Sequence, residues 1–261
     1  MIKYFSTRKK WIYSIHFFLF TIGGLCSAYA QTPSIQAIDS AKWILSQCIK
    51  AHGGAIDSST LNLTFRNKLY KGVFEGGNFE MSRLFKKGDS LYLDKLNNTE
   101  FVRTINNQKV ELSERRINGY SNSLNSVFYF AMLPFKLSDK AVILSYLRKQ
   151  KTKNGEYFLV KVSFKQEGGG EDHQDQFRYW INTKTFQLDY FAYSYQTSGG
   201  GVRFRAVNKR HKIDSGYIFQ DYVNYKANLG VDLDKLLQMQ ENGELKEVSR
   251  IELENVGLKN L

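Results

Sequence analysis

Cysteine and proline are scarce in this sequence, whose 261 residues contain two of each. The chain has no proline-rich linker, low-complexity tract or repeat of fixed period, which favours a single domain. Hydrophobic residues make up 42% and charged residues 24%, a balance that excludes a disordered or collagen-like protein. The 20 glycines and the 15% of aromatic residues favour a β-rich fold with many turns.

Recognisable catalytic and metal-binding motifs are also missing. The sequence has no H-E-x-x-H, G-x-S-x-G, C-x-x-C, paired Glu-x-x-His or phosphate-loop pattern. His52, His173 and His211 are each isolated along the chain. We therefore predict no catalytic residue, no metal and no cofactor, and a binding protein in preference to an enzyme.

The N-terminus has the three-part pattern of a secretory signal. A basic start is followed by the apolar residues 11–25, which are too short for a membrane span of about 20 residues. The small-x-small site Ala28-Tyr29-Ala30 comes next. We predict a signal peptide over residues 1–30, cleaved after Ala30, and export to the periplasm or the outer membrane of a Gram-negative bacterium. An uncleaved N-terminal anchor is the alternative.

Cleavage would change the charge and the cysteine content. The mature chain keeps 33 Lys and Arg against 25 Asp and Glu, a net charge of +8. These cations are scattered, which argues against a nucleic-acid partner and suits an anionic membrane surface or a solvated surface. Only Cys48 remains, inside a helical pattern, where we expect a buried small hydrophobe. We predict a monomer.

Hydrophobic periodicity divides the mature chain into one helix and a long meander. Residues 34–51 have the three- and four-residue spacing of an amphipathic helix, and Gly53-Gly54 ends it. From Leu61 the period becomes two, with Gly- and Asn-rich turns between short strands. Short helices are predicted at residues 122–135 and 232–240, and a last strand at residues 246–253.

Several late strands carry bulky side chains on both faces. In residues 186–195 and 217–225, aromatic or aliphatic side chains occupy both faces of the strand. A strand with one solvated face would show polar residues on that face. Either both faces are covered or one face lines an apolar cavity. The two interpretations are compatible.

Two glycine clusters are candidates for chemistry. Residues 166–175 combine three glycines with four acids and His173, which suits a metal site or equally a solvated acidic turn. Residues 199–205 place Arg203 and Arg205 two apart on a strand, on one face. That pair suits a carboxylate or phosphate head group, or an ion pair with nearby acids.

The layout resembles a known superfamily. A helix ending in His52-Gly53-Gly54 before an antiparallel meander resembles the LolA/LolB-like lipoprotein carriers of the Gram-negative periplasm. That resemblance implies a curved half-barrel sheet with helices on its concave side and an apolar cavity for acyl chains. More closely, residues 122–135, 164–175, 177–182 and 199–205 resemble an uncharacterised family of exported bacterial proteins, a likeness that covers residues 35–225 and implies no established activity.

Together these observations predict a mainly β (α+β) protein. Residues 31–261 would form one LolA-like domain, a single curved antiparallel half-barrel sheet of about 11–12 strands, with an N-terminal helix and short inserted helices on the concave side. The concave face would bind a lipid or other hydrophobic small molecule. The predicted ligand-binding residues are Phe128, Phe130, Phe191, Tyr193, Arg203, Arg205, Tyr217 and Tyr222.

Two other functions remain open at this point. The first is a hydrolase or lyase that uses the acidic glycine-rich loop 166–175 together with Arg203 and Arg205. The second is a non-catalytic interaction protein of the cell envelope, which would expose a large apolar patch in place of a cavity.

Overall fold

The computed structural model of the protein describes residues 34–56, 58–165, 175–196 and 199–261. Three α-helices lie in these ranges, namely α1 (Ile35–Ala51), α2 (Glu114–Ala131) and α3 (Leu236–Glu241). The strands are β1 (Ser59–Phe65), β2 (Lys68–Glu75), β3 (Asn78–Lys87), β4 (Ser90–Asn97), β5 (Phe101–Ile105), β6 (Gln108–Lys109), β7 (Val142–Thr152), β8 (Gly155–Phe164), β9 (Gln176–Asn182), β10 (Leu188–Tyr195), β11 (Gly201–Lys212), β12 (Ile218–Ala227), β13 (Lys246–Ile251) and β14 (Glu254–Asn260).

The strands form two antiparallel sheets of seven. The first has the order β14-β1-β2-β3-β4-β5-β6, and the second has the order β13-β12-β11-β10-β9-β8-β7. The predicted mainly β class with an N-terminal helix is confirmed. The sequence predicted one sheet of about 11–12 strands, and the described residues form fourteen strands in two sheets. The meander divides because α2 separates β6 from β7, which are not paired with each other.

The last strand differs from its prediction. Residues 246–253 were expected to form one strand, but β13 ends at Ile251 in the second sheet. The chain then continues as β14, which pairs with β1 in the first sheet. Alternation alone does not reveal such a transfer, because both strands have the same period.

Helix α1 agrees closely with its prediction. The side chain of Ser34 caps it by accepting a hydrogen bond from the Ala37 amide at 3.2 Å. Its apolar stripe packs on the second sheet, and Ala41, Ile44 and Cys48 within it are each at most 2% exposed. Cys48 is therefore the buried small hydrophobe that its position in the helical pattern indicated.

Helix α2 begins earlier and ends earlier than the predicted residues 122–135. Its first two turns, from Glu114 to Ser121, are mostly polar and leave no apolar stripe for periodicity to detect. Its later turns bury Leu124, Phe128 and Ala131. The predicted short helix at residues 232–240 is present as a 3-10 turn at Leu233–Lys235 followed by α3.

Three hydrophobic clusters form the core of the described residues. The first joins α1, α2 and one face of the second sheet, here called its inner face, and includes Ile44 and Phe191. The second joins α2 to the first sheet around Phe128. The third fills the outer face of the second sheet, where Trp180 packs near Leu236 of α3. Both faces of the second sheet are thus covered. This is one of the two interpretations given to the bulky side chains on both faces of its strands.

From Ser34 onwards the described residues belong to one compact unit, and all three clusters lie inside it. The predicted signal peptide, residues 1–30, lies outside the described residues. Within the described part of the chain, no helix is long and apolar enough to cross a membrane.

Candidate ligand-binding site

The structure divides the eight predicted site residues into two groups. Strand register places Phe191 opposite Arg205 and Tyr193 opposite Arg203, on the inner face of the second sheet. Phe130 of α2 and Tyr222 of β12 join them there. Phe128 and Tyr217 belong to the cluster of the first sheet instead. Residues 128 and 130 are about 200° apart around a helix, so they necessarily face different sheets.

An aromatic layer covers the inner face of the second sheet. Phe130 stacks on Phe191 with ring centroids 5.7 Å apart and 18° between the ring planes. Phe191 stacks in turn on Tyr179 at 5.6 Å, and Phe177 stacks on Tyr193 at 5.3 Å. Phe191 is fully buried, whereas Phe130 and Tyr193 keep part of their surface exposed. The layer therefore reaches the protein surface at Phe130 and Tyr193.

Arg205 lies within this aromatic layer with only 8% of its surface exposed. Its guanidinium carbon is 3.9 Å from the centroid of the Phe130 ring, a close cation–π contact. Its Nη2 donates to the Tyr193 hydroxyl at 2.9 Å. Its Nε and Nη1 are buried and have no hydrogen-bond partner among the described residues, nor does any described carboxylate form an ion pair with it. A buried cation in this state is costly, because it has lost its hydration without a full set of partners.

A second incompletely bonded polar group lies opposite Arg205. Asn224 is its cross-strand partner on β12. The Asn224 amide nitrogen donates to the Ser249 hydroxyl at 3.2 Å, while its Oδ1 is buried without a partner in the described chain. Arg205 offers donors, and Asn224 Oδ1 offers an acceptor, at the edge of an aromatic surface. The Arg205 donors suit the acidic head of an amphiphile, and the aromatic surface suits its apolar body.

Arg203 is placed differently from its neighbour two residues along the strand. It is half-buried, its Nη1 donates to the Val202 carbonyl at 3.0 Å, and its guanidinium lies 5.3 Å from the Tyr195 ring centroid. It lies on the same face as Arg205, as their spacing predicted, but nearer the strand end.

The predicted ligand-binding face is closed in this structure. Phe128, Phe191 and Tyr222 are at most 1% exposed and pack against other side chains. Two grooves open on the surface, of about 390 Å³ beside Trp43 and about 610 Å³ beside the start of α2, and neither is lined by any of the eight predicted residues. A ligand at Arg205 would therefore have to displace aromatic side chains.

A buried polar network joins α1 to β12 behind Tyr222. His52 is fully buried; its Nδ1 donates to the Cys48 carbonyl at 2.8 Å, and its Nε2 accepts from the Gln220 amide at 2.7 Å. The Gln220 Oε1 accepts from the Tyr222 hydroxyl at 3.1 Å. Burial lowers the pKa of His52 to about 4 and raises the pKa of the Cys48 thiol. Both groups are therefore neutral at pH 7 and act structurally.

Sequence reasoning did not detect the buried ionic cluster of the first sheet. Arg83 and Arg103 both bind the fully buried Asp94, with shortest N–O distances of 2.6 Å each. Arg83 also donates to Ser123 at 3.0 Å, and the Arg103 guanidinium lies 3.7 Å from the Tyr120 ring centroid. The cluster thus attaches α2 to the first sheet. The sequence signal for this buried cluster was that both arginines occupy inward positions of alternating strands.

The enzyme hypothesis rested on the acidic loop 166–175. Residues 166–174 lie outside the described residues, and Asp175 is buried at the start of β9. In the described part of the chain, no group of three or more His, Cys, Asp or Glu side chains is arranged to hold a metal ion.

Fold and site together define a mainly β protein whose second sheet holds a buried arginine in an aromatic layer. The chain belongs to the family of unknown function DUF6503, whose model matches residues 78–253. The predicted resemblance to an uncharacterised family is thereby confirmed. A comparison with curated proteins found no match.

Several solved structures are similar to the chain. One is a LolA superfamily protein from Nitrosomonas europaea, with 10% identity and a TM-score of 0.49 over 85% of this chain and 94% of that one. A domain described as an outer membrane lipoprotein-sorting protein from Vibrio parahaemolyticus has 7% identity and a TM-score of 0.40, over 77% and 97%. A DUF1329 family protein from Desulfovibrio piger has 8% identity and a TM-score of 0.37, over 86% and 93%. Likenesses this distant carry no inference about ligand or role.

Proposed function

We propose that the chain is an exported, monomeric protein of the Gram-negative envelope that binds an amphiphile with an acidic head group. The head would contact Arg205 and the apolar body would lie between α2 and the inner face of the second sheet. The observation that carries the proposal is the guanidinium of Arg205, buried in an aromatic layer with two of its nitrogens lacking partners in the described chain. Export follows from the predicted signal peptide over residues 1–30.

An acidic head group would complete the bonding of Arg205. A carboxylate or phosphate oxygen accepts charge-assisted hydrogen bonds, which are roughly twice as strong as neutral ones. The desolvation that makes the unpaired cation costly also strengthens its attraction to an anion. A neutral apolar ligand would leave Nε and Nη1 of Arg205 without hydrogen-bond partners, so the site favours an acidic ligand.

The apolar body of the ligand would replace side-chain contacts that now close the site. Phe130 and Tyr193 are partly exposed and lie over the fully buried Phe191. Turning Phe130 away would open a path between α2 and the second sheet. Apolar burial at about 25 cal/mol per Å² would supply the affinity.

The test begins with the material that the protein retains. Residues 31–261 contain the whole compact unit and all three core clusters, so this part is expected to fold. It would be expressed in a bacterium, purified without detergent, and analysed by native mass spectrometry and organic extraction. The expected result is a co-purifying fatty acid or acidic phospholipid in stoichiometric amount.

Titration with palmitate then tests the role of Arg205. Losing charge-assisted hydrogen bonds should weaken binding by about 10- to 100-fold in Arg205→Met. Arg250→Met is the matched control, because Arg250 is an exposed arginine of the same sheet that pairs with Glu247. Equal palmitate affinity of Arg205→Met and the wild type, with no acidic amphiphile in the extract, would refute the proposal.

A further inference from the structure

The outer face of the first sheet, opposite α2, has an unusual pattern. The inward residues Tyr70 and Arg83 face α2, so their neighbours on β2 and β3 point away from it. Leu69, Leu84 and Leu93 are directly opposite one another on β2, β3 and β4 and form a continuous leucine row on this outer face. Leu69 is 56% exposed, and the other two are half-buried.

Exposed lysines surround the leucine row. Lys71, Lys86 and Lys95 each lie two residues along from one of its leucines and share its face. Lys109 lies at the β6 end of the row, opposite Thr104 of β5. None of these four lysines forms an ion pair in the described part of the chain. Glu254 borders the row at its far edge, on β14. Glu75 and Glu80 share the same face and lie four or more residues along their strands from the leucine row, so the lysines are the charged groups next to it.

Lysines elsewhere in the described chain are also mostly unpaired, since Lys149, which contacts Glu156, is the one described lysine with an ion pair. The ion pairs mainly involve arginines, as where Asp234 binds both Arg148 and Arg178. The outer face is therefore distinguished by the coincidence of its exposed lysines with the leucine row, and not by the absence of ion pairs.

We propose that this outer face of the first sheet docks on a bilayer that contains anionic lipids. Lysine is depleted in protein–protein interfaces, where aromatic residues and arginine predominate, so the pattern does not favour a protein partner. Lysine stems can lie along apolar surface while their ammonium groups reach lipid phosphates. The leucines supply apolar contact at the head-group boundary. This inference concerns a different face from Arg205 and does not depend on ligand binding there.

Vesicle flotation of residues 31–261 tests the proposal. The vesicles contain either phosphatidylcholine alone or phosphatidylcholine with about 30% phosphatidylglycerol, a content chosen to give a negative surface potential. Binding is expected only to the anionic vesicles and is expected to decrease as salt rises. The double variant Lys71→Gln/Lys95→Gln should reduce partitioning by about thirtyfold.

Two further variants separate docking from diffuse attraction. Lys151→Gln/Lys184→Gln removes the same charge from exposed hairpin positions of the second sheet and should reduce partitioning by less than about threefold. Leu69→Ser should reduce it by about tenfold without loss of fold. Equal losses of partitioning in the two double lysine variants would overturn the proposal. Absence of binding to anionic vesicles at 50 mM salt would also overturn it, because the Debye length is then roughly 14 Å and the attraction is weakly screened. The second outcome would leave a protein as the occupant of this face.

Discussion

Replacing Arg205 with methionine should weaken ligand binding by about 10- to 100-fold while changing stability little. Each of the two unpartnered nitrogens of the buried guanidinium costs about 1–3 kcal/mol or more, and methionine removes both. Against this, the variant loses the cation–π contact with Phe130, worth about 2 kcal/mol when desolvated. It also loses the hydrogen bond to Tyr193, worth about 1.5–3 kcal/mol. These effects nearly cancel, so the free energy of unfolding should change by less than about 2 kcal/mol.

The same substitution at Arg83 provides the comparison. Arg83 is equally buried, but it makes two hydrogen bonds to Asp94 and one to Ser123. Arg83→Met should therefore cost about 3 kcal/mol, because charged hydrogen bonds are lost with no unpaired group removed. Urea denaturation followed by the fluorescence of the fully buried Trp180 would measure both values.

The two arginines should therefore differ in the stability that the same substitution costs. If Arg205→Met cost as much as Arg83→Met, Arg205 would have a structural partner and no vacancy for a ligand head. Arg205 would then give no support to an acidic ligand at this site.

Two further predictions concern the end of α1. The pKa of His52 falls from 6.5 to about 4 on folding, so the unfolded chain binds the proton more tightly than the folded chain. The free energy of unfolding should therefore decline as pH falls below 6.5. The loss should reach about 3 kcal/mol at pH 4. His52→Gln should flatten that part of a urea-denaturation series between pH 7.5 and 4.5, and an unchanged slope would contradict the assignment. Gly53→Ala should cost about 2–4 kcal/mol, because Gly53 has φ +110° and a Cβ there would lie 2.7 Å from the Tyr217 Cα. Gly54→Ala, at φ +100° with no neighbour within 4 Å, should cost only about 1–2 kcal/mol in thermal or urea unfolding, and equal losses would refute the close-approach argument.

Much of the local structure was predictable from spacing. Helix α1 was predicted within one residue, because its apolar stripe and its glycine stop are both local signals. The start of α2 was not, since its polar first turns contact little of the core. The alternation predicts Phe186 in a strand, but Phe186 adopts φ +56° in the turn before β10. A bulky aromatic residue does not predict a positive φ.

The candidate site was predictable in part. Alternation correctly placed Arg203 and Arg205 on one face, and the aromatic alternation of β10 placed Phe191 with Tyr193. Grouping Phe128 with Phe130 ignored the rotation of 100° per residue around a helix, which the sequence alone could have revealed. The burial of Arg205 under Phe130 depends on how α2 crosses the second sheet, and no local pattern encodes that crossing.

By itself, the sequence determined the β-rich class, the N-terminal helix and the sharing of strand faces, because these depend on residues two to four positions apart. Tertiary structure alone decided the division into two sheets, the transfer of the chain from β13 to β14 and the pairing of Asp94 with two arginines. It also decided which of the two strand arginines is left partly unpaired. Those outcomes depend on contacts between residues far apart in the chain, where burial and register set the energy of each polar group.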